Sequence, residues 1–405
     1  MEHTKQNMFF YRITQAASFV VSKFIFKRKF LRNEIKGKKG PFVVIANHQS
    51  ALDFVNLIGS TRQPMSFVIS NSFYQTLPVS GIMDKIGVIP KQQFQTSLKD
   101  IKKMKQVIED GKILVIYPAG LMCEDGLSTP IPVATYRFLQ WMHADVYVAK
   151  TQGAYFVHPK WAKKKRPGRT YLDIYKLVSA EDIGNIPAEE FAAMCEKALL
   201  FDAYSEQEEL RIRYKGGDNL EGLENVLYMC PHCGKEFSVK TEGNRIFCTE
   251  CGFAQEADEY GFMKKTSEVG KEYRHVSDWN KEIMAACEKE LAGNEDFEMS
   301  IDADIHMIDF GEKRFKPVGS GTVRLTPKHI YLEGTVKGER IEKVMATASF
   351  PSLPFKPGKY FELQDGEITY RCLPSDGSIS QKVVNCTKHF YHAMQEHRAH
   401  QEATV

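Results

Sequence analysis

Residues 41–55 read PFVVIANHQSALDFV. The apolar run over 42–46 has the length and uniformity of a strand buried on both faces, and it runs directly into polar residues before a second apolar stretch begins. Within the polar segment, His48 and Asp53 stand five positions apart. A neutral imidazole accepts a proton from an alcohol, and a carboxylate on the other ring nitrogen holds the productive tautomer. Whether these two form such a pair or only decorate the end of a strand depends on the rest of the chain.

Apolar segments at 65–69, 86–89, 113–117 and 146–149 predict further strands, and helices are expected over 71–83 and 96–109, the second stopped by Gly111. A strand near 171–175 and a helix over about 188–203 would close the domain near residue 210. Such alternation predicts an α/β domain with a central sheet and flanking helices.

The 405 residues suffice for two or three domains, and 43 % apolar residues supply a substantial core. A net charge of +3 gives little reason to expect nucleic-acid binding, and dense interleaving of aromatic and basic residues is missing. Two local clusters are basic: eight Lys or Arg against Glu34 over 23–39, and Lys160, Lys163, Lys164, Lys165, Arg166 and Arg169. Each is either a solvated face or an attraction to phosphate on a lipid or substrate.

In NMFFYRITQAASFVVSKFIFKRKF, residues 7–30, Phe9, Ile13, Ala17, Val20 and Phe24 recur at helical spacing ahead of basic residues. The pattern predicts an interfacial amphipathic helix over 1–35; the other reading is a helix packed on the protein's own core. No apolar run reaches the roughly 20 residues of a membrane span. With no cleavable signal peptide and an odd cysteine count, a reducing compartment and the cytoplasmic face of a membrane, peripheral or monotopic, are expected.

Of nine cysteines, four are regularly spaced in CPHCGKEFSVKTEGNRIFCTECGF, residues 230–253. Two C-x-x-C pairs separated by 14 residues, each followed by Gly, predict a structural zinc ribbon over 225–257 with Cys230, Cys233, Cys248 and Cys251 as ligands. Four protein ligands leave no open position for catalysis, and no redox cofactor is expected. A helix is expected over 277–293 with Ser277 as its N-cap. Beyond it, GSGTVRLTPKHIYLEG, KYFELQDGEITYRC and SQKVVNC read as short strands, followed by a helix from 387 to about 398. This β-rich accessory domain over 295–400 resembles a small module of the pleckstrin-homology or GRAM type.

The segment NHQSALD presents the pattern N-H-x-x-x-x-D and resembles the glycerolipid acyltransferase family that includes 1-acylglycerol-3-phosphate acyltransferases. The likeness extends over roughly residues 20–205, within an acyltransferase domain set at 36–210. It implies that His48 is the general base and Asp53 its orienting acid. The family's next block, in which Arg often follows G-x-I-F, corresponds to GVIPKQQF, so Lys91 stands where an Arg would contact the acceptor. Lysine keeps the charge without the bidentate geometry.

The block written F-P-E-G-T-R corresponds to YPAGLM, residues 117–122. Pro118 and Gly120 are retained, while Ala119, Leu121 and Met122 replace Glu, Thr and Arg, which weakens lysophosphatidate as the acceptor. Glu124 and Asp125 just downstream are out of register with the lost Glu and read as a loop. Backbone N–H groups near Gly120 are candidate oxyanion donors. Lys150, Lys160, Arg166 and Arg169 are candidate phosphate contacts, and Cys123 has no neighbour that would make it a nucleophile.

The expected function is acyl transfer from acyl-CoA or acylated carrier protein to a glycerol or lysolipid hydroxyl at a membrane surface, in phospholipid synthesis or remodelling. The substrate-binding residues would be Lys91, Gly120, Lys150 and Arg166. The alternative is a noncatalytic lipid or protein interaction module derived from an acyltransferase, which YPAGLM favours and the intact NHQSALD opposes.

Overall fold

The computed structural model describes residues 6–76, 80–94, 97–214, 216, 218–308 and 314–403. The chain divides into two compact units. The first comprises Met1–Lys160, Lys164–Gly216 and Glu259–Gly261, and the second Trp161–Lys163, Gly217–Asp258 and Phe262–Val405.

The first unit is an α/β domain around a seven-stranded sheet. Its strands are β1 (Lys29–Asn33), β2 (Phe42–Ala46), β3 (Met65–Ser70), β4 (Ile89–Lys91), β5 (Ile113–Ile116), β6 (Asp145–Gln152) and β7 (Tyr171–Val178), in the order β1-β7-β6-β2-β5-β3-β4. Central β2 pairs in parallel with β5 and β6, β3 continues in parallel with β5 and β4, and β7 runs antiparallel to β6 with edge strand β1 parallel to β7. Its helices are α1 (Met8–Phe24), α2 (Asp53–Ile58), α3 (Asn71–Thr76), α4 (Ser80–Lys85), α5 (Leu98–Glu109), α6 (Val133–Trp141), α7 (Ala154–Val157), α8 (Ala188–Leu199) and α9 (Ala203–Leu210).

Every residue of β2 is buried, and its side chains alternate between two cores. Val43 and Ile45 pack with Met104 and Val107 of α5, Leu139 of α6 and Phe191 of α8. Phe42, Val44 and Ala46 pack on the other face with Tyr11 of α1 and Leu57 and Ile58 of α2. Helices on both faces explain why the strand sequences are apolar runs rather than alternations.

Several boundaries differ from those read in the sequence. Residues 86–88 close a turn after α4, with Gly87 at φ +81° and Val88 N–H donating to Met83 O, so β4 starts only at Ile89. Within the helix expected over 71–83, residues 77–79 lie outside the described residues, as does residue 96 of the helix expected over 96–109. Ser97 caps α5 by accepting from Lys99 N–H.

Helix α1 turns its polar side inward. Tyr11 Oη accepts from Met65 N–H, Ser22 Oγ donates to Val55 O, and Gln15 Nε2 donates to Ile58 O and Thr61 O, three of these four links ending on α2 or the turn after it. Phe9, Ile13, Val20 and Phe24 lie exposed on the opposite side, Phe9 at 70 % and Phe24 at 64 %. Among the described residues, no helix is long and apolar enough to cross a membrane.

The second unit contains two antiparallel sheets. One is the ribbon, β8 (Val239–Glu242), β9 (Arg245–Cys248), β10 (Ala254–Ala257) and β11 (Met263–Lys265), in the order β11-β10-β9-β8. The helix α10 (Val276–Leu291) follows; His275 occupies its N-cap position and Ser277 lies inside it, which corrects the expected start. The second sheet has β12 (Met299–Ile308), β13 (Lys316–Leu325), β14 (His329–Val336), β15 (Glu339–Ala346), β16 (Phe355–Lys356), β17 (Tyr360–Asp365) and β18 (Ile368–Pro374), ordered β15-β14-β13-β12-β18-β17-β16.

The C-terminal helix α11 runs Ile379–Ala403 and absorbs SQKVVNC, which the sequence suggested as a strand. Every residue from Ser380 to Thr387 is buried, so the first two turns of this helix are enclosed on all sides, and Phe390 is buried beyond them.

Candidate functional site

The conserved geometry of a parallel sheet places its open edge at the carboxyl ends of the strands, where chain exits leave room for a ligand. Adjacent β2 and β5 end in register, Ile45 beside Ile116, so NHQSALD and YPAGLM leave the sheet side by side. On the other flank Ala46 pairs with Ala149 of β6. Asn47 extends this pairing with its side chain: Nδ2 donates to Thr151 O and Oδ1 accepts from Thr151 N–H, both at 2.8 Å. A side chain thus does the work of the next peptide group and lets the main chain turn away at His48.

The turn that follows closes on Asp53, the first residue of α2. Its Oδ2 accepts from Gln49 N–H at 2.8 Å and Ser50 N–H at 2.9 Å, and lies 3.0 Å from His48 Nδ1. An ionised carboxylate only accepts, so Nδ1 holds the ring proton and Nε2 keeps its lone pair. Asp53 is 2 % exposed and His48 22 %, which leaves the acid sealed and the imidazole within reach of a ligand. The Tyr117 ring lies against the His48 ring, centroids 4.5 Å apart. Burial, and secondarily the Asp53 charge, raise the Tyr117 phenol well above its ordinary value.

The other residues singled out in the sequence have separate positions. Gly120 is exposed at φ +69°; its N–H closes a turn on Tyr117 O, and its carbonyl accepts from Gln93 Nε2 at 2.5 Å. That N–H is therefore engaged within the turn. Lys91 ends β4, three strand positions or about 14 Å from β2. Its amine donates to Gln92 O, and burial, partly offset by Asp100, lowers its basicity.

Lys150 donates to Leu200 O at 2.7 Å and lies 3.8 Å from Glu206. Lys160 pairs with Glu124 at 3.5 Å. Arg166 is buried at 5 %, within the field that acts on Tyr214, and so is not part of an exposed basic rim. Burial foremost pushes the Cys123 thiol up, which keeps it protonated and unreactive. Glu206, whose carboxyl reaches the motif residue Gln49, was not read from the sequence: the two are 157 positions apart and no local pattern marks the contact.

In the ribbon the four Sγ atoms of Cys230, Cys233, Cys248 and Cys251 lie within 4.8 Å of one another. Cys230–Cys251 is 3.6 Å and Cys233–Cys248 is 3.8 Å, close to the edge of about 3.8 Å expected for four thiolates around tetrahedral zinc at about 2.3 Å. Gly234 and Gly252 follow the two knuckles at φ +72° and +76°, and Glu250 N–H points at Cys248 Sγ at 3.4 Å. This donor set fits a structural zinc ion, which would stabilise the fold and offer no open coordination position.

Residues 26–155 match the family model described as Acyltransferase. The chain carries an acyltransferase-family domain. Residues 223–254, which include all four of these cysteines, match the zinc-ribbon model described as DNA directed RNA polymerase, 7 kDa subunit.

Among solved structures, the chain is similar to the 1-acyl-sn-glycerophosphate (LPA) acyltransferase PlsC from Thermotoga maritima. The identity is 18 %, covering 50 % of this chain and 79 % of that one, with a TM-score of 0.40. It is also similar to the Ran binding domain of the nuclear complex component Nup2 from Ashbya gossypii, at 15 % identity over 24 % of this chain and 97 % of that one, TM-score 0.20. No curated protein matches the chain. His48, Asp53, Lys91, Gly120 and Lys150 all fall within the stretch that matches the acyltransferase family, and Arg166 falls beyond it.

Proposed function

We propose that the protein transfers an acyl group from an acyl thioester, carried by coenzyme A or a carrier protein, to the hydroxyl of a lysolipid or related glycerol acceptor. The observation that carries this reading is the sealed Asp53 carboxylate holding His48 Nδ1 at 3.0 Å while the imidazole stays partly exposed. His48 Nε2 removes the hydroxyl proton as oxygen attacks the thioester carbonyl; Asp53 stabilises the imidazolium that forms, and as the C–S bond breaks the imidazolium returns that proton to the departing sulfur, releasing the free thiol.

The exposed apolar side of α1 supports attachment to a membrane surface, its rings among acyl chains and the following basic residues near lipid phosphates. The cytoplasmic face fits the cysteine usage. Of the span 1–35 we assign α1 to this attachment, β1 belonging to the sheet of the α/β domain; catalysis is assigned to that domain up to residue 210, with 225–257 the zinc ribbon and 295–400 the accessory domain. Lys91, Lys150 and Arg166 remain the proposed cationic contacts for the substrate, with Gly120 shaping the neighbouring turn.

The test incubates purified protein with several lysolipids and both donor classes and reads lipid product. Product from at least one pair, lost by about 10²-fold or more in a folded His48→Ala variant, is the expected result. Product unchanged by that substitution removes His48 as the base. The second reading, a noncatalytic lipid or protein interaction module, is favoured by Ala119 and Met122 in YPAGLM, and it predicts lysolipid binding without product.

A further inference from the structure

Gln49 lies between His48 and Ser50 and is wholly buried. Its backbone N–H is one of the two main-chain donors that hold Asp53 Oδ2. The side chain is restrained at both ends: Oε1 accepts from Tyr155 N–H at 3.2 Å, and Nε2 faces Glu206 Oε2 at 3.4 Å. Glu206 stands in the first turn of α9. Lys150 of β6 faces its Oε1 at 3.8 Å, with Gln152 of the same strand, Asp202 at the N-cap of α9, and Tyr214 completing its charged and polar surroundings.

We infer that Glu206 is a positioning residue which, acting through Gln49, fixes the backbone donor that holds Asp53 and thereby orients the His48–Asp53 pair. An ionised Glu206 gives the Gln49 amide a charge-assisted acceptor, stronger than a neutral carboxyl, while Tyr155 anchors the other end of that amide. Protonation weakens the outer restraint and loosens the turn on which Asp53 depends. Burial, the largest influence, pushes the Glu206 carboxyl up to about 7, against the pull of Lys150, Gln49 and Gln152 and with a further push from Asp202. Its change of charge therefore falls in the neutral range.

The consequence for turnover rests on the acyl-transfer reading; the link from Glu206 to Gln49 does not. In the full chain labelled with ¹⁵N-glutamine, the Gln49 backbone amide, identified by its loss in Gln49→Glu, is expected to titrate with a midpoint near 7. That step should persist in His48→Ala and disappear in Glu206→Gln. A Gln49 titration that survives in folded Glu206→Gln overturns the inference.

In the acyl-transfer assay, Glu206→Gln is expected to lower kcat about tenfold at pH 8 with KM within twofold, and to remove one protonation step from the acid side of the profile. Glu206→Asp should recover part of both. A loss confined to KM, or a profile identical to that of the natural protein, overturns the positioning role. Absence of product from the unaltered protein would sink the proposed function alone, since the amide titration still decides whether Glu206 governs Gln49.

Discussion

The turn at His48 and the cysteine ribbon are two small devices built on a common principle. In each, main-chain N–H groups close around a side-chain anion: Gln49 and Ser50 donate to Asp53 Oδ2, and Glu250 points its N–H at Cys248 Sγ. They differ in what is left over. The ribbon converges four equivalent sulfurs within 4.8 Å, a set that a single zinc ion saturates. The turn seals its acid and leaves the imidazole 22 % exposed with one nitrogen uncommitted. A saturated cluster stabilises structure; a cluster with one unsatisfied, accessible atom is equipped for chemistry.

Three perturbations sharpen or break this contrast. The largest effect is expected on the ribbon: zinc removal or Cys230→Ser should unfold it, a coupling worth on the order of 10 kcal/mol in small zinc domains. Trp279 reports the change by fluorescence, because its Nε1 donates to Met229 O next to Cys230 and its ring packs edge-on against Phe253. Acyl transfer in the same sample should stay within about twofold; a parallel collapse of turnover would end the description of the ribbon as a purely structural site.

The second perturbation reverses the pattern. Asp53→Asn should cost about 10³ to 10⁴ in turnover, as loss of an orienting acid does, while lowering stability by only about 1–3 kcal/mol through its buried N–H partners. Calorimetry beside kinetics separates the two, and a variant that keeps its rate would show that His48 needs no orienting acid. The smallest effect on the fold is expected from Phe9→Ser with Phe24→Ser. Both rings are exposed, so melting should change by less than about 0.5 kcal/mol, whereas vesicle flotation should fall. Equal flotation would assign the apolar side of α1 to something other than a membrane.

Much of the fold was legible in the sequence because the central strands are apolar on both faces, and Phe42–Ala46 declares itself by composition alone. Edge strand β1 did not, since KFLRN lies in a basic run and its burial pattern is that of an exposed segment. Helix α2 is only six residues long, too short for periodicity to separate it from an apolar run. The start of α11 is hidden in the sequence because Val383 and Val384 favour strand locally and residues 380–387 are all buried, which leaves no helical alternation of apolar and exposed positions to read.

The same division holds for the site. His48, Asp53 and the cysteines are visible as spacing, whereas Gln49 acquires its meaning from Tyr155 and Glu206, more than 100 positions away. Tertiary contacts of that kind leave no trace in a local pattern.

Glu206 also adds a proton-uptake contribution to folding of the first unit. An unfolded chain releases this proton near the ordinary carboxyl value of 4.5, and the folded one keeps it to about 7. Between those values the native state binds more protons, so the group's contribution to stability is fully present below 4.5 and is lost as the pH rises through about 7. Its ionised form, the one suited to hold Gln49, is thus the form that the fold resists. At this one group, acidity favours the fold while ionisation favours the proposed hold on Gln49.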